Sequence, residues 1–450
     1  MADFALFWGC QIPARLPFVE KSTRLVLDQL GVSYREIPGF TCCPERELVR
    51  TANEELWFTT AARNLALAEG QDLDILTPCN GCYSTLKDVL CQIKLNPYLL
   101  ATVNDVLDNF GLEYQGRVRV KHLVEFFHDD LGPYAIQEQV QAPLAGMKVA
   151  VHYGCHLLRP YPAINFDDPL HPVKFDALIQ ALGARSVNYE TKMLCCGQAF
   201  NAVDEPGRSG ALAGQKLQEL QQLGVKALIT SCPMCYIQYD YRQAIMRRQG
   251  EEVHIPVFYI TELMALVMGV EASELGLDLH RTDVSPFFVE WERARRRLSF
   301  AQEHFDLTLV EKCYSCAGCL KDCPSVKAEP SWNPNQIMGR ILAGEVEELL
   351  ASKEIWQCLG CYTCDEMCPQ EWGMRQAFET LKHLALTRGV VPRGTRNALD
   401  GFRKTGKMIE AAASARAQRS RLGLPDLFAD SGEEIQQVLE AAEGTRIKLN

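Results

Sequence analysis

The stretches DFALFWGC (residues 3–10) and KVAVHYGC (residues 148–155) are two versions of one segment, a short apolar run that ends in Gly-Cys. In both copies a Cys-Cys pair follows, after 31 residues in the first and 39 in the second, and a Cys-x-x-Cys pair comes 35 residues later. The first cysteine set is Cys10, Cys42, Cys43, Cys79 and Cys82, and the second cysteine set is Cys155, Cys195, Cys196, Cys232 and Cys235. The chain therefore contains an internal repeat with five thiols in each copy.

Five thiols are one more than a tetrahedral zinc site uses. Thiolates select soft partners, namely zinc, Cu(I) or iron–sulfur clusters, and five of them around one site favour a cluster of several irons. The alternative is a disulfide scaffold built from the 19 cysteines. It is disfavoured because the chain is far longer than disulfide-dense domains and its first residues lack the basic segment of a secretion signal. We therefore expect reduced thiolates that bind metal.

Secondary structure is predicted to repeat along with the cysteines. Apolar runs predict strands at 3–9, 73–78, 148–154 and 226–231, each just before a cysteine or a Cys-x-x-Cys pair. Apolar residues at helical spacing predict helices at 21–30, 45–68, 84–95, 174–182 and 207–222, and a β-like segment is expected to end at each Cys-Cys pair. This alternation is typical of Rossmann-like α/β units with parallel sheets. Ligands of such sheets bind at the carboxyl ends of the strands, so each cysteine set is expected to converge on one site.

A different pattern occupies the last third of the chain. The motif Cys-x2-Cys-x2-Cys-x3-Cys-Pro starts at Cys313 and recurs from Cys358. In two-cluster ferredoxins the fourth cysteine of each such run ligates the other cluster. One cubane [4Fe–4S] cluster is therefore assigned to Cys313, Cys316, Cys319 and Cys368, and the other to Cys358, Cys361, Cys364 and Cys323. Two zinc ribbons are the alternative, which the doubled spacing disfavours. Predicted helices at 335–350 and 373–387 make this a mostly α-helical dicluster domain.

The chain is divided by prediction into four parts: two α/β units at 1–145 and 146–285, a ferredoxin-like domain at 286–395 and a tail at 396–450. Basic residues at 291–299 predict a helical connector, either a solvated face or a docking surface. Residues 407–418 are predicted to form an amphipathic helix, for docking or as a frayed tail. Cys91 belongs to none of the cysteine sets and is interpreted as a buried structural thiol.

Composition limits the class of protein. The 450 residues are 47% apolar and 23% charged, as in soluble globular proteins, and the net charge of −11 argues against nucleic acid as the main partner. The longest apolar stretch, around 258–270, is too short to span a bilayer. The expectation is a cytoplasmic protein without membrane insertion.

The repeated five-cysteine pattern resembles the CCG domain of the catalytic B subunit of heterodisulfide reductase, most closely in FWGCQIPARLP (7–17) and HYGCHLLRP (152–160). The doubled four-cysteine run resembles the C subunit of the same enzyme, and its position after the CCG units favours this family over relatives with the reverse order. Pro44 follows the first Cys-Cys pair where the CCG motif has glycine, whereas Gly197 keeps the motif in the second. The resemblance covers roughly residues 1–390 and implies a fusion of the B and C subunits.

The resemblance also implies the cofactors and the reaction. Each five-cysteine set would bind a noncubane [4Fe–4S] cluster, and a disulfide such as the CoM–CoB heterodisulfide would be split between the two. Electrons would arrive through the two cubane clusters from a flavin-containing A subunit and further electron-input subunits of a bifurcating complex. The alternatives are an electron conduit in a related complex, such as a benzoyl-CoA reductase or a sulfur-oxidation complex, and a quinone-linked or membrane-linked subunit.

Disulfide reduction also needs protons. His156 follows Cys155 directly and is the candidate proton donor, because its pKa is near neutral; the alternative is a histidine that only hydrogen-bonds a cluster sulfur. His152, on the predicted strand, is interpreted as a core residue. Arg15 and Arg159 lie shortly after the first cysteine of each set and are either anion-binding or plain surface residues.

Overall fold

The computed structural model describes residues 3–409, 411–425, 437–439 and 441–442. The chain forms two compact units, the first ending at Arg296 and the second beginning at Arg297. The dividing point lies inside helix Ser285–His304, so the predicted connector is helical. The first unit contains two parallel sheets with helices and the second is helical, which confirms the predicted fold class. The four-part division of the chain stays a prediction.

The first sheet is built from strands β1 (Phe4–Leu6), β2 (Tyr34–Arg35), β3 (Asp74–Thr77) and β4 (Val120–His122). The strands are parallel and lie in the order β2-β1-β3-β4. The central strand β1 is buried at every residue, with Ala5 opposite Arg35 on one side and Ile75 on the other. A strand covered on both faces has no polar alternation, which explains the unbroken apolar run in its sequence.

The second sheet repeats this topology. Its strands are β5 (Lys148–His152), β6 (Arg185–Ser186), β7 (Leu228–Thr230) and β8 (Val257–Tyr259), in the order β6-β5-β7-β8 and again all parallel. The sequence repeat is therefore a repeat of the fold. The fourth strand of each sheet, β4 or β8, was not predicted, because the strands were recognised together with the cysteines that follow them and no cysteine follows β4 or β8 directly.

The helices of the first unit connect these strands. They are α1 (Gln11–Arg15), α2 (Pro17–Gln29), α3 (Glu54–Glu69), α4 (Asn80–Leu95), α5 (Pro97–Leu107), α6 (Leu123–Glu125), α7 (Pro133–Glu138), α8 (Tyr161–Ile164), α9 (Lys174–Ala181), α10 (Pro206–Gln222), α11 (Pro233–Arg248), α12 (Ile260–Val267) and α13 (Ser285–His304). Helices α4 and α11 begin directly after Cys79 and Cys232, so the Cys-x-x-Cys pairs lie in their first turns.

One apolar core runs through both repeats of the first unit. Buried hydroxyl groups add a polar link, since Thr261 on α12 lies 2.9 Å from Ser22 Oγ and 3.2 Å from Thr23 Oγ1 on α2. Buried polar groups need such partners. The two repeats are thus joined by both apolar and hydrogen-bonded contacts.

The second unit contains helices only, within the residues that the structure describes. They are α14 (Leu307–Cys316), α15 (Pro324–Ala328), α16 (Pro334–Leu342), α17 (Val346–Leu350), α18 (Thr363–Glu366), α19 (Met374–Thr387), α20 (Arg393–Thr405) and α21 (Ala413–Arg421). A separate core lies between them, with Ile337, Leu349 and Leu381 fully buried. Across the described part of the chain, no helix has both the length and the apolar character needed to cross a membrane.

Two helix predictions for this unit are wrong. Residues 335–350 form two helices, because Gly344 adopts φ +73° in the left-handed region, which ends a helix. The single helix predicted at 407–418 is not formed: α20 ends at Thr405, the following Gly406 has φ +68°, and the next described helix begins at Ala413.

Two predictions for the first unit also need correction. The β-like segments β2 and β6 are only two residues long and end seven residues before Cys42 and nine before Cys195, so irregular chain leads to each Cys-Cys pair. The helix predicted at 45–68 is divided in two. Its first part is a short π-helix, Arg46–Arg50, and its second part is α3, which Asn53 caps. Irregular loops allow adjacent cysteines to point towards one site.

Candidate iron–sulfur sites

The ten cysteines of the repeat lie together in the first unit. Each thiol is beside the next, in the series Cys10, Cys42, Cys43, Cys82, Cys79, Cys232, Cys235, Cys196, Cys195 and Cys155. The Sγ atoms of Cys10 and Cys42 are 3.7 Å apart, and all 19 cysteines are free thiols. The structure therefore brings the cysteines of each set together, and the two sets meet at Cys79 and Cys232.

The inner part of this series is buried and the members near its two ends are more accessible. Cys10 and Cys195 are exposed, whereas Cys43, Cys79, Cys82, Cys196, Cys232 and Cys235 are buried. Each set therefore has one exposed cysteine and, beside it in the series, one that is partly exposed, namely Cys42 or Cys155. Cys79 and Cys232 follow the carboxyl ends of β3 and β7, which is where parallel sheets bind ligands.

The thiols are too crowded to ionise together without a cation. Hydrogen bonding with Cys232 and burial raise the pKa of Cys79 well above its usual value. Hydrogen bonding with Cys43 and burial do the same to the pKa of Cys82. Bound metal ions invert this situation, because their charge deprotonates coordinating thiols. Five soft sulfur donors per set therefore fit an iron–sulfur group.

Glycine permits the close approach of the chain to the sulfur atoms. Gly9, before Cys10, has φ +66°, and a Cβ atom at this position would lie 2.6 Å from Cys82 Sγ. Gly154, its counterpart, has φ +71°, and a Cβ there would lie 2.6 Å from Asn80 Nδ2 and 3.5 Å from Cys235 Sγ. The Gly-Cys sequence that opens each set is thus required by packing against the Cys-x-x-Cys helix.

Three buried side chains connect the repeats beside the junction of the two sets. His122 Nε2 donates to the carbonyl oxygen of Ser231 at 3.2 Å, and the hydroxyl of Tyr259 donates to the carbonyl oxygen of Pro78. His122 and Tyr259 end β4 and β8, so each repeat contacts the residue that precedes the other's Cys-x-x-Cys. The third is Asn80, whose Nδ2 donates to Tyr153 O at 2.7 Å and whose Oδ1 accepts from Ser231 Oγ at 3.1 Å.

Replacing Asn80 with alanine should destabilise the first unit. The variant leaves Tyr153 O and Ser231 Oγ buried without these partners, and each such group costs about 1–3 kcal/mol. We expect the free energy of unfolding to fall by about 2–4 kcal/mol in urea titrations followed by circular dichroism. Asn53→Ala, which removes only the N-cap of α3, is the control and should cost about 1 kcal/mol. Equal losses for the two variants would contradict a bridging role for Asn80.

His122 makes stability depend on pH. Burial lowers its pKa from 6.5 to about 4, and Nδ1 already accepts the backbone N–H of Val124 at 3.0 Å. The unfolded chain therefore binds a proton between pH 6.5 and 4 that the folded chain does not, so stability falls as the pH falls through this window. The loss is about 3 kcal/mol. We expect the free energy of unfolding of His122→Gln to fall by about 3 kcal/mol less than that of the wild type between pH 6.5 and 4. Identical pH profiles of the two proteins would contradict this assignment.

The eight cysteines of the second unit line two neighbouring cavities. Cys313, Cys316, Cys319 and Cys368 line one cavity together with Cys364. Cys323, Cys358, Cys361 and Cys364 line the other together with Cys319. The fourth cysteine of each run thus lies with the first three of the other run, in the grouping that the sequence predicts. Within the described residues, no three Cys, His, Asp or Glu side chains are grouped as ligands of a single metal ion.

Backbone and side-chain donors surround these cavities. The N–H groups of Trp372 and Arg375 donate to Cys368 Sγ at 3.4 Å and to Cys364 Sγ at 3.3 Å, respectively. Lys382 Nζ donates to the carbonyl oxygen of Cys358 at 2.6 Å. Hydrogen bonds to cysteine sulfur help to set cluster reduction potentials. Nothing in the sequence pattern indicated these donors.

The other predicted residues have different outcomes. His152 is buried, which confirms its interpretation as a core residue. The Arg159 guanidinium donates to Pro169 O at 2.8 and 3.2 Å, whereas Arg15 is exposed. His156 is half-buried, and its role as proton donor stays a prediction. Cys91 is only half-buried on α4, so the prediction of a buried thiol is wrong.

One charged residue near the cysteines has no signal in the sequence. Lys216, on α10, is completely buried near the second cysteine set. It lies in an amphipathic helix among the buried residues Ala213, Leu217 and Leu220. A lysine in such a helix is normally expected on the solvated face, so only its position in the fold distinguishes it.

Known protein families match both kinds of site. The cysteine-rich CCG domain matches residues 4–87 and 149–240, and the 4Fe-4S dicluster domain matches 309–372. A hypothetical protein from Helicobacter pylori has a related structure, with a TM-score of 0.52 and 15% identity over 63% of this chain and 52% of that chain. At this identity the likeness concerns the fold alone.

Individual proteins resemble the two units separately. The B subunit of the ferredoxin/F420H2-dependent CoB-CoM heterodisulfide reductase of Methanosarcina acetivorans is 38% identical over 280 residues, 62% of this chain and 93% of that protein. The 8-methylmenaquinol:fumarate reductase membrane anchor subunit of Wolinella succinogenes is 30% identical over 286 residues, 63% of this chain and 98% of that protein.

The iron–sulfur C subunit of the CoB–CoM heterodisulfide reductase of Methanopyrus kandleri is 28% identical over 171 residues, 37% of this chain and 88% of that protein. The resemblance inferred from cysteine spacing is thereby confirmed. With a part similar to the B subunit followed by a part similar to the C subunit, the chain belongs to the heterodisulfide reductase family of iron–sulfur oxidoreductases and has an electron-transfer role.

Proposed function

We propose that this protein reduces a disulfide, the CoM–CoB heterodisulfide or a similar one, with electrons received through its own ferredoxin-like unit. The observation that carries the proposal is the continuous series of ten thiols, in which two five-cysteine sets meet at Cys79 and Cys232 and are open at Cys10 and Cys195. A disulfide has two sulfur atoms and takes up two electrons and two protons. The two five-cysteine sets, which meet at Cys79 and Cys232, suit such a substrate because each set can act on one of its sulfur atoms.

Each group of cysteines has a defined part in this proposal. Each five-cysteine set holds one noncubane [4Fe–4S] cluster and the eight cysteines of the second unit hold two cubane clusters, and these groups supply electrons one at a time when bound. The residues of the chain do the rest: Gly9 and Gly154 allow the close approach of the Gly-Cys loops, and Asn80 and His122 fix the two sets relative to each other. His156, beside Cys155, delivers a proton.

The partner subunits of this protein are proposed from the subunits that it resembles. Similarity to both the B and the C subunits implies a complex with further heterodisulfide reductase subunits, among them a flavin-containing A subunit that delivers electrons within a bifurcating complex. In this chain the B-like and C-like parts are one polypeptide. The disulfide or thiol substrate then reaches the exposed cysteines of the first unit.

The second candidate is an electron conduit. It is favoured by the similarity to the menaquinol:fumarate reductase anchor subunit of Wolinella succinogenes, whose name refers to neither a thiol nor a disulfide. In that case the same cysteine sets pass electrons to another subunit.

One anaerobic experiment separates the two functions. The purified protein is analysed for iron and acid-labile sulfide, with about 16 irons expected from four [4Fe–4S] clusters. It is then reduced and mixed with the CoM–CoB heterodisulfide, while absorbance and electron paramagnetic resonance follow reoxidation. Rapid reoxidation with release of both thiols supports the disulfide reductase.

Two other outcomes of this experiment would contradict the disulfide reductase or the cluster assignments. Intact clusters that the heterodisulfide does not reoxidise would favour the conduit. Zinc with little acid-labile sulfide would contradict the cluster assignments themselves.

A further inference from the structure

Lys216 is a buried cation without a carboxylate partner. Its side chain on α10 is completely inaccessible to solvent, and among the described residues no Asp or Glu forms an ion pair with it. Its Nζ donates to the carbonyl oxygens of Thr191 and Lys192, the latter at 2.9 Å, and lies 3.3 Å from His152 Nδ1. These carbonyls belong to the turn that leads into Cys195 and Cys196.

A buried ammonium group without a counterion is costly and normally loses its proton. Burial lowers the pKa of Lys216 to about 7, whereas Cys235, Cys196, Glu219 and Cys195 raise it as anions. Three of these four groups belong to the second cysteine set, and Glu219, on the same helix, forms no ion pair with Lys216 among the described residues. A negatively charged metal–thiolate group in that set would keep Lys216 protonated, and Lys216 would stabilise the group in return.

The first repeat also has a cation at the equivalent place, but this cation is partly exposed. The displacement of 153 residues between the repeats places Arg63, on α3, at the position of Lys216, and the Arg63 guanidinium donates to Gly39 O at 2.7 Å in an exposed contact. The displacement of 145 residues places Phe7, a fully buried apolar residue, at the position of His152. Both repeats thus place a cation on the chain that leads to the Cys-Cys pair, but only the cation of the second repeat is buried.

We propose that Lys216 is the fixed positive charge of the second cysteine set and makes the cluster held there easier to reduce than the cluster held by the first set. This inference rests on the proposed binding of one cluster per set. Net charge and polar surroundings set the reduction potential of iron–sulfur clusters, and in a buried site a nearby cation acts with little screening. Lys216 is a positioning residue in this account, because its contacts are to carbonyls and His152. The second set is then the one on which electrons collect.

The test removes the charge in two ways. Lys216→Gln keeps a hydrogen-bond donor for the carbonyls of Thr191 and Lys192, and Lys216→Met removes both charge and donor. The holoprotein is titrated anaerobically with a reductant, and the cluster signals are followed by electron paramagnetic resonance. Signals are assigned to the sets by comparison with Cys43→Ser and Cys196→Ser. Arg63→Gln, at the equivalent place in the first repeat, is the matched control.

We expect both Lys216 variants to shift the reduction equilibrium of the second cluster at least tenfold towards the oxidised form, which is about 59 mV for one electron. The first cluster, and both clusters in Arg63→Gln, should be unchanged. An unchanged second cluster in Lys216→Gln would overturn the inference, and so would equal shifts of both clusters.

Failure to assemble the second cluster is resolved by Lys216→Arg, which keeps the charge. Assembly in Lys216→Arg but in neither uncharged variant supports the inference, whereas loss in all three assigns Lys216 to packing and overturns it. A wild-type protein without a cluster in the second set would instead contradict the proposed function.

Discussion

Cys196→Ser should lose four of about 16 irons and the second noncubane cluster, with the two cubane signals intact. Cys196 is buried between Cys195 and Cys235 in the series of thiols, so a hydroxyl there replaces a soft ligand with a hard one that does not hold iron–sulfur clusters. Reoxidation by the heterodisulfide should fall to background. Iron and sulfide analysis, electron paramagnetic resonance and thiol release measure these three effects.

The chain supplies its own control for this substitution. Cys91 is a half-exposed cysteine on α4 outside all the cysteine sets, so Cys91→Ser should keep every iron and full activity. Loss of the cubane signals in Cys196→Ser would show that the division between the two kinds of cluster is wrong.

Gly9→Ala should abolish the first noncubane cluster and destabilise the first unit. An L-residue in this left-handed conformation costs about 1–2 kcal/mol in the backbone alone, and the added Cβ would lie 2.6 Å from Cys82 Sγ. One of the two must move, and either movement displaces a cysteine of the first set. Iron content and the free energy of unfolding, measured on the same anaerobic preparation, should both decrease.

Gly111 provides a matched comparison. It has the same φ of +66°, and a Cβ added there would have no atom within 4 Å. Gly111→Ala therefore has only the backbone cost and should retain all iron. Retention of iron in both variants, with equal losses of stability, would contradict a role for the close approach of Gly9 to sulfur.

The cysteine spacings predicted much of the fold, because they recur together with the hydrophobic pattern. The strands before Cys10, Cys79, Cys155 and Cys232 were predicted within a few residues, since buried parallel strands are apolar throughout. The exchange of the fourth cysteine between the two runs of the second unit was predicted from spacing and agrees with the two cavities. The predicted helix boundaries were wrong where a single backbone conformation ends a helix, as the positive φ angles of Gly344 and Gly406 do.

The sequence by itself determined which residues bear the chemistry, because ligand type and spacing are local properties of the chain. It predicted the thiols, their two kinds of pattern and the repeated α/β architecture. Only the tertiary structure decided that the two sets meet at Cys79 and Cys232 and that Asn80 and His122 join the repeats there. It also decided that Lys216 is buried, unlike Arg63 at the equivalent position. These are contacts between segments far apart in sequence, and burial of a charge depends on what packs around it rather than on its neighbours along the chain.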